Sequence, residues 1–222
     1  MIKEMYLDLT GVNERLIQNT YWCNVDKPAK IAVFFSGYRY PTEAPVFHFL
    51  KIYFLSKNWA VLSLDYRYNE DPIFLNLSDS EQTKYLNTEA LLMKKKLEEK
   101  LNFEQYCFIA KSLGTTILCK IIEGDFIYSK NKKSQFVWLT PADANEEIAD
   151  IILKGSIPSI YVIGDNDPYY NEHIVSKLKN GSSCLCKIIP GAGHIFDHKE
   201  NIDLTMQSNF NVIKYLIETI NF

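Results

Sequence analysis

Ser112 stands where a run of β-branched and aromatic residues beginning at Tyr106 gives way to the apolar, helix-compatible run after Gly114. A chain that passes from strand to helix within one residue forces the turn residue towards positive φ, which is strained for anything with a Cβ. The residues two before and two after must then be small, because the two backbones pass close together. Ala110 and Gly114 meet that condition. Such a turn lifts the Ser112 hydroxyl to the carboxyl edge of a sheet and aims the first free N–H of the helix, that of Leu113, at the same point. This is a place for a nucleophile and for the oxyanion that its attack creates.

A neutral serine attacks poorly, so it requires a base that titrates near pH 7 and a group that holds that base in one tautomer. Histidine suits the first role and a carboxylate the second. There are four histidines. His48 lies in a helical run and His173 just inside a helix start, positions that suit surface or packing residues. His194 follows a strand within Pro190-Gly-Ala-Gly193, where the backbone is free to place a ring over a sheet edge, and His198 is the local competitor. Two carboxylates, Asp165 and Asp167, close another strand in Val162-Ile-Gly-Asp-Asn-Asp-Pro168. Lys111, just before the serine, has a stem that packs along the sheet edge and is assigned no role.

The elements that must position these groups follow from periodicity. Residues 5–9 and 15–22 read as two short strands around a hairpin-like Thr10-Gly-Val-Asn13. Lys30 to Phe35 is a buried-type strand, and after Pro41 the residues Val46, Phe49, Leu50, Tyr53 and Phe54 fall at helical spacing. Trp59 to Leu64 is the next strand, and Asn69 to Ser80 the longest irregular piece. Leu86, Ala90, Met93, Leu97 and Leu101 mark one face of a long helix, with Lys94-Lys95-Lys96 and Glu98-Glu99 on its solvated side. Beyond the serine's own helix, Gln135 to Leu139 is a strand, and one helix's worth of chain, Asn145 to Lys154, precedes strand Ser159 to Gly164. A helix from about Asn171 to Asn180 stops at Gly181, which suits a C-terminal cap. Strand Cys184 to Ile189 leads to the histidine turn, and Ile213, Leu216, Ile217 and Ile220 mark a final helix. Strands alternating with helices predict an α/β protein, a mostly parallel sheet covered on both faces with the first two strands as an antiparallel edge. Ligands of such sheets bind beyond the carboxyl ends of the strands, where each candidate group falls.

The pattern Ala110-Lys-Ser112-Leu-Gly114 resembles the nucleophile elbow of the α/β-hydrolase superfamily, with alanine where glycine is usual. The order serine, carboxylate, histidine agrees with it, and the resemblance extends from about Lys30 to the end of the chain. It implies a three-layer α/β-hydrolase fold with Ser112 as nucleophile and His194 as base. The superfamily's Gly-x-x-Asp spacing implies Asp167 as the orienting acid and leaves Asp165 as a turn residue bonding its own loop. Ser36-Gly37-Tyr38 resembles the superfamily's His-Gly-x turn and implies the Tyr38 N–H as the second oxyanion donor beside that of Leu113. The short connection before Ser159 leaves no room for the substrate-covering lid usual there. Serine at the elbow departs from the aspartate of dehalogenases and epoxide hydrolases and from the cysteine of dienelactone-hydrolase-type enzymes.

These readings together predict one domain over residues 1–222 without an inserted cap, a serine hydrolase acting on a small carboxylic ester or thioester. An acyltransferase or peptidase with the same three residues, or a catalytically silent ligand-binding member, is the alternative. Arg39, Tyr40, Tyr66, Arg67 and Tyr169 are candidates for a substrate rim, in which an arginine would receive an anionic group; for any single one of them the plainer reading is a tyrosine covering an open sheet edge or an arginine paired with a nearby acid. With 222 residues, 47% of them hydrophobic, the chain can bury about 70% of its unfolded surface without metal or disulfide. A net charge of -3 gives no footprint for nucleic acid, and the acid-bearing N-terminus reads as neither signal peptide nor membrane anchor. Five cysteines, Cys184 and Cys186 among them, lack companions at ligand spacing and read as reduced thiols of a cytoplasmic protein, with no metal and no cofactor expected. Nothing in the sequence addresses the oligomeric state.

Overall fold

The computed structural model describes residues 2–127, 133–142, 145–155 and 157–220. Eight strands, β1 (Lys3–Met5), β2 (Gln18–Cys23), β3 (Lys30–Phe35), β4 (Ala60–Asp65), β5 (Gln105–Lys111), β6 (Ser134–Leu139), β7 (Ser159–Gly164) and β8 (Cys184–Ile189), form one sheet in the order β1-β2-β4-β3-β5-β6-β7-β8. Pairing is parallel from β4 through β8, while β2 runs antiparallel to β1 and β4.

The central strands are apolar on both faces, as a sheet covered on both sides requires. In β5, Tyr106, Phe108 and Ala110 join a core built with α3 (Asp79–Lys100), α4 (Leu113–Glu123), α5 (Asn145–Gly155) and α6 (Glu172–Lys179). Cys107 and Ile109 face the opposite way, into a core shared with α1 (Pro45–Ser56) and α7 (Ile202–Thr219). Val46, Leu50 and Phe54 of α1 are fully buried there, but Phe49 lies on the exposed side of the same helix.

Three elements differ from expectation. The N-terminal hairpin is not a simple one, because the side chain of Asn19 satisfies the Leu7 N–H and the Leu7 and Ile17 carbonyls, and Glu89 accepts from the Val12 N–H. The first strand is therefore Lys3–Met5 and not residues 5–9; a single antiparallel bridge joins Thr10 to Leu16, and the chain reverses through Asn13 and Glu14 at φ 53° and 58°. The stretch 69–80 is partly ordered into α2 (Pro72–Leu75), capped by Asp71, before Ser78 and Glu81 form a reciprocal cap that opens α3. Gly181 is not a left-handed cap: α6 ends on Asn180 at φ -79°, and Gly181 keeps no positive φ.

Candidate active site

The chain reverses between β5 and α4 at Ser112, whose φ of 51° and ψ of -123° are those of a strained, sharp turn. The two small neighbours have separate reasons. A Cβ on Gly114 would sit 2.5 Å from the carbonyl oxygens of Phe35 and Ser36, so the start of α4 can approach the end of β3 only as glycine. Ala110 lies fully buried between Phe35 of β3 and Trp138 of β6, its register partners.

Two neighbouring strand ends bring the remaining groups to this turn. The loop after β7 and the loop after β8 are stitched together: the Asn166 N–H donates to the Ala192 carbonyl at 3.1 Å, and the Gly191 N–H donates to Asp165 Oδ1 at 2.5 Å. In that setting His194 Nε2 lies 2.7 Å from Ser112 Oγ, and His194 Nδ1 lies 2.9 Å from Asp167 Oδ2. The other Asp167 oxygen accepts the Tyr169 N–H at 2.9 Å, and the carboxylate is 4% exposed. Because an ionised carboxylate only accepts, Nδ1 must carry the proton and Nε2 is left to accept from the serine hydroxyl. Asp165 thus bonds the histidine loop and not its own, as expected at first, and does not touch the ring.

The other histidines lie elsewhere. His198 is 2.7 Å from Ser208 Oγ on α7, and His48 and His173 are exposed on α1 and α6.

The loop after β3 passes directly beside the serine, since a Cβ on Gly37 would be 3.2 Å from Ser112 Cβ. Several bonds fix it. Ser36 Oγ, where the superfamily has histidine, accepts the Tyr66 N–H at 3.1 Å, and the Gly37 N–H donates to the Tyr40 carbonyl at 2.9 Å. Thr42 donates its N–H and its hydroxyl to Asp65 at 2.8 and 2.6 Å. Burial pushes the Asp65 carboxyl up, and these Thr42 bonds pull against that rise. The Tyr38 and Leu113 N–H groups donate to no acceptor among the described residues, and both residues line the cleft that holds Ser112 and His194.

That cleft measures about 720 Å³. Of the five rim candidates, Arg39, Tyr40 and Tyr169 line it, with the Tyr169 ring centroid 5.3 Å from that of His194. Tyr66 does not: just past the end of β4 it is fully buried, its ring stacked between those of Phe35 and Tyr68. Arg67 also lies outside the cleft and pairs with Glu70 at 3.3 Å. Arg39 is exposed, with its guanidinium 5.6 Å from the Tyr38 ring and no ion pair among the described residues. One wall escaped the sequence reading, that formed by Phe74 of α2 and Asp79, Gln82, Thr83 and Leu86 of α3. The Ser78-x-x-Glu81 cap was its available signal.

Lys111 is more than a stem along the sheet edge. Its side chain is fully buried beneath the cleft, donates to Thr140 Oγ1 and to the His194 carbonyl, the latter at 2.6 Å, and burial pulls its pKa down to about 7. Among the described residues no group of three His, Cys, Asp or Glu side chains could hold a metal, and the Cys184 and Cys186 sulfurs, 3.9 Å apart, are free thiols. No described helix is long and apolar enough to cross a membrane.

A sheet of this order, with a strained serine after its fifth strand and a histidine after its last, defines the α/β-hydrolase fold, and solved structures agree. Est1E from Butyrivibrio proteoclasticus, solved with ferulic acid, is 17% identical with a TM-score of 0.60, over 92% of this chain and 96% of that one. Dienelactone hydrolase from Anabaena variabilis is 14% identical with a TM-score of 0.65, over 98% of both chains. An alpha-beta serine hydrolase homologue from Coxiella burnetii is 13% identical with a TM-score of 0.60, over 98% of this chain and 100% of that one. At these identities the likeness is one of fold. No protein-family model matches the chain, and no curated protein matches it.

Proposed function

We propose that the protein is a serine hydrolase that cleaves a small carboxylic ester or thioester through an acyl-enzyme. The observation that carries this is the unbroken line from Asp167 through His194 to the strained Ser112, at 2.9 and 2.7 Å. His194 takes the hydroxyl proton as Ser112 attacks the carbonyl carbon, then returns it to the departing alcohol or thiol. Asp167 keeps the ring in the tautomer with Nε2 free and stabilises the imidazolium. The Tyr38 and Leu113 N–H groups receive the charge that develops on the carbonyl oxygen, in a place prepared before the reaction begins. Water, activated by the same histidine, releases the acid.

The substrate enters from the open side of the cleft, and the chain acts as one domain with α2 and the start of α3 serving as a wall in place of an inserted cap. Tyr38, Tyr40, Tyr169 and Phe74 supply aromatic surface for the acyl or alcohol part. Est1E, with its bound ferulic acid, is a reason to include aromatic acids among the esters assayed. Five free cysteines, four of them buried, support a reducing compartment such as the cytoplasm.

A fluorophosphonate probe tests the proposal. Wild-type protein should be labelled and Ser112→Ala should not; absence of labelling of the folded wild type would leave a silent ligand-binding member of the fold. Rates on short p-nitrophenyl esters, p-nitrophenyl ferulate and acyl-CoA then separate ester from thioester cleavage.

A further inference from the structure

Lys111 is the charged side chain next to the proposed nucleophile, and its surroundings are unlike those of a lysine that merely covers a surface. It is 0% exposed, on the α1/α7 face of β5, and it makes no ion pair with a carboxylate among the described residues. Its ammonium meets Thr140 Oγ1 at the end of β6, the carbonyl of His194, and the rings of Tyr40 and Phe196 at 4.9 and 5.2 Å. A charge taken out of water this completely is costly unless its partners are well placed.

The bonds around His194 show what the lysine adds. Gly191 and Ala192 are tied to the loop after β7, and Gly193 and Phe196 bond within their own loop, through the Gly193 N–H to the Asp197 carbonyl and the Phe196 N–H to the Gly193 carbonyl. Among the described residues, the bond from Lys111 to the His194 carbonyl is the one that joins the histidine's own backbone to the strand that leads into Ser112. Base and nucleophile are thereby spaced by a side chain one residue from the nucleophile. The second anchor is itself strained: Thr140, β-branched and fully buried, is held at φ 39° with its N–H on the Val162 carbonyl at 2.7 Å, and this aims its hydroxyl at Lys111.

We propose that Lys111 is a positioning residue that holds His194 over Ser112 by bridging the histidine loop to the end of β6. The inference rests on the serine-hydrolase reading above. Misplacement of a base by about 1 Å can cost about 100-fold in rate, and the effect falls on turnover because the lysine does not hold substrate.

The test is kinetic, with the best ester substrate, on wild type, Ser112→Ala, Lys111→Met, Thr140→Val and Thr140→Ser. Lys111→Met should lower kcat by about 10- to 100-fold with KM within about twofold and slow fluorophosphonate labelling in proportion. A loss shared equally between kcat and KM would mark a merely structural role and overturn the proposal. Thr140→Val should lower kcat by a smaller factor, and Thr140→Ser should recover it. A folded Lys111→Met with wild-type kcat also overturns the proposal. If Lys111→Met does not fold, an unchanged kcat in Thr140→Val overturns it. A wild type that neither labels nor turns over, by contrast, refutes the hydrolase reading itself.

Discussion

Asp165 and Asp167 share one turn and one chemistry, yet the structure puts them to different uses. Asp167 Oδ2 reaches the imidazole, whereas Asp165 Oδ1 holds the Gly191 N–H and so shapes the loop on which the histidine rides. Asp167→Asn should therefore lower kcat by about 10⁴, since an amide there can favour the wrong imidazole tautomer. Asp165→Asn should have a much smaller effect; equal losses in steady-state assays would reverse the assignment. Residue type and spacing made both aspartates visible in the sequence, and the superfamily's spacing pointed to Asp167, but only the folded turn decides which oxygen meets the ring. The same holds for the rim. Two arginines at two strand ends looked equivalent, and the structure pairs Arg67 with Glu70 while leaving Arg39 at the mouth of the cleft without an ion pair among the described residues. Arg39→Ala should raise KM for esters bearing a carboxylate by several-fold and leave neutral esters unchanged; an equal effect on both would deny Arg39 any steering role.

At the scale of elements, the loop after β3 shows how one stretch of backbone is prepared for catalysis by residues outside it. Asp65, at the end of β4, receives two bonds from Thr42, and Ser36 receives the Tyr66 N–H, so both ends of the loop are tied to the neighbouring strand. Thr42→Val removes the hydroxyl bond to a buried carboxylate and should loosen the Tyr38 N–H. A fall in kcat of roughly 10-fold is expected, short of the roughly 10²–10³ for outright loss of an oxyanion donor, with a modest loss of stability. Unchanged kcat would mean that the loop does not depend on this tie. The strands that carry the site were legible because each is apolar on both faces and ends in turn residues: β7 and β8 fall on the expected residues, and β3 through β6 within one residue of them. The N-terminal segment was not legible, because its backbone is satisfied by Asn19 and by Glu89, which is 77 residues from Val12 in sequence. Periodicity carries no trace of a bond that long. The cleft wall from α2 and α3 was missed for a related reason. Asp79, Gln82 and Thr83 sit at the polar start of a helix, and only the path of the chain across the sheet's edge turns them towards Ser112.

Across the whole molecule, Glu89 and Lys111, each fully buried and on opposite faces of the sheet, are compensated differently. Glu89, on the α3 side, meets the Arg15 guanidinium at 2.6 Å and the Val12 N–H at 2.6 Å, so although burial pushes its carboxyl up, the charge has a partner. Lys111, on the α1/α7 side, has hydroxyl, carbonyl and ring partners, and burial takes its pKa from the usual 10.5 down to about 7. Below pH 7 the ammonium is charged in both folded and unfolded chains, and the full burial cost is present. Between about pH 7 and 10.5 the unfolded chain keeps a proton that the folded chain has lost, so this group makes the folded state more stable as pH rises through that window. Buried Cys119, pushed up to about 12, acts in the opposite sense above its ordinary value of 9.0 and obscures the trend in wild type alone. It is common to wild type and Lys111→Met, so the difference between their melting temperatures isolates the lysine. That difference, wild type minus variant, should grow from pH 6.5 towards about pH 9.5 in matched thermal melts. A difference that stays flat, or shrinks, would mean that Lys111 remains fully charged in its buried place, with partners strong enough to offset the loss of water.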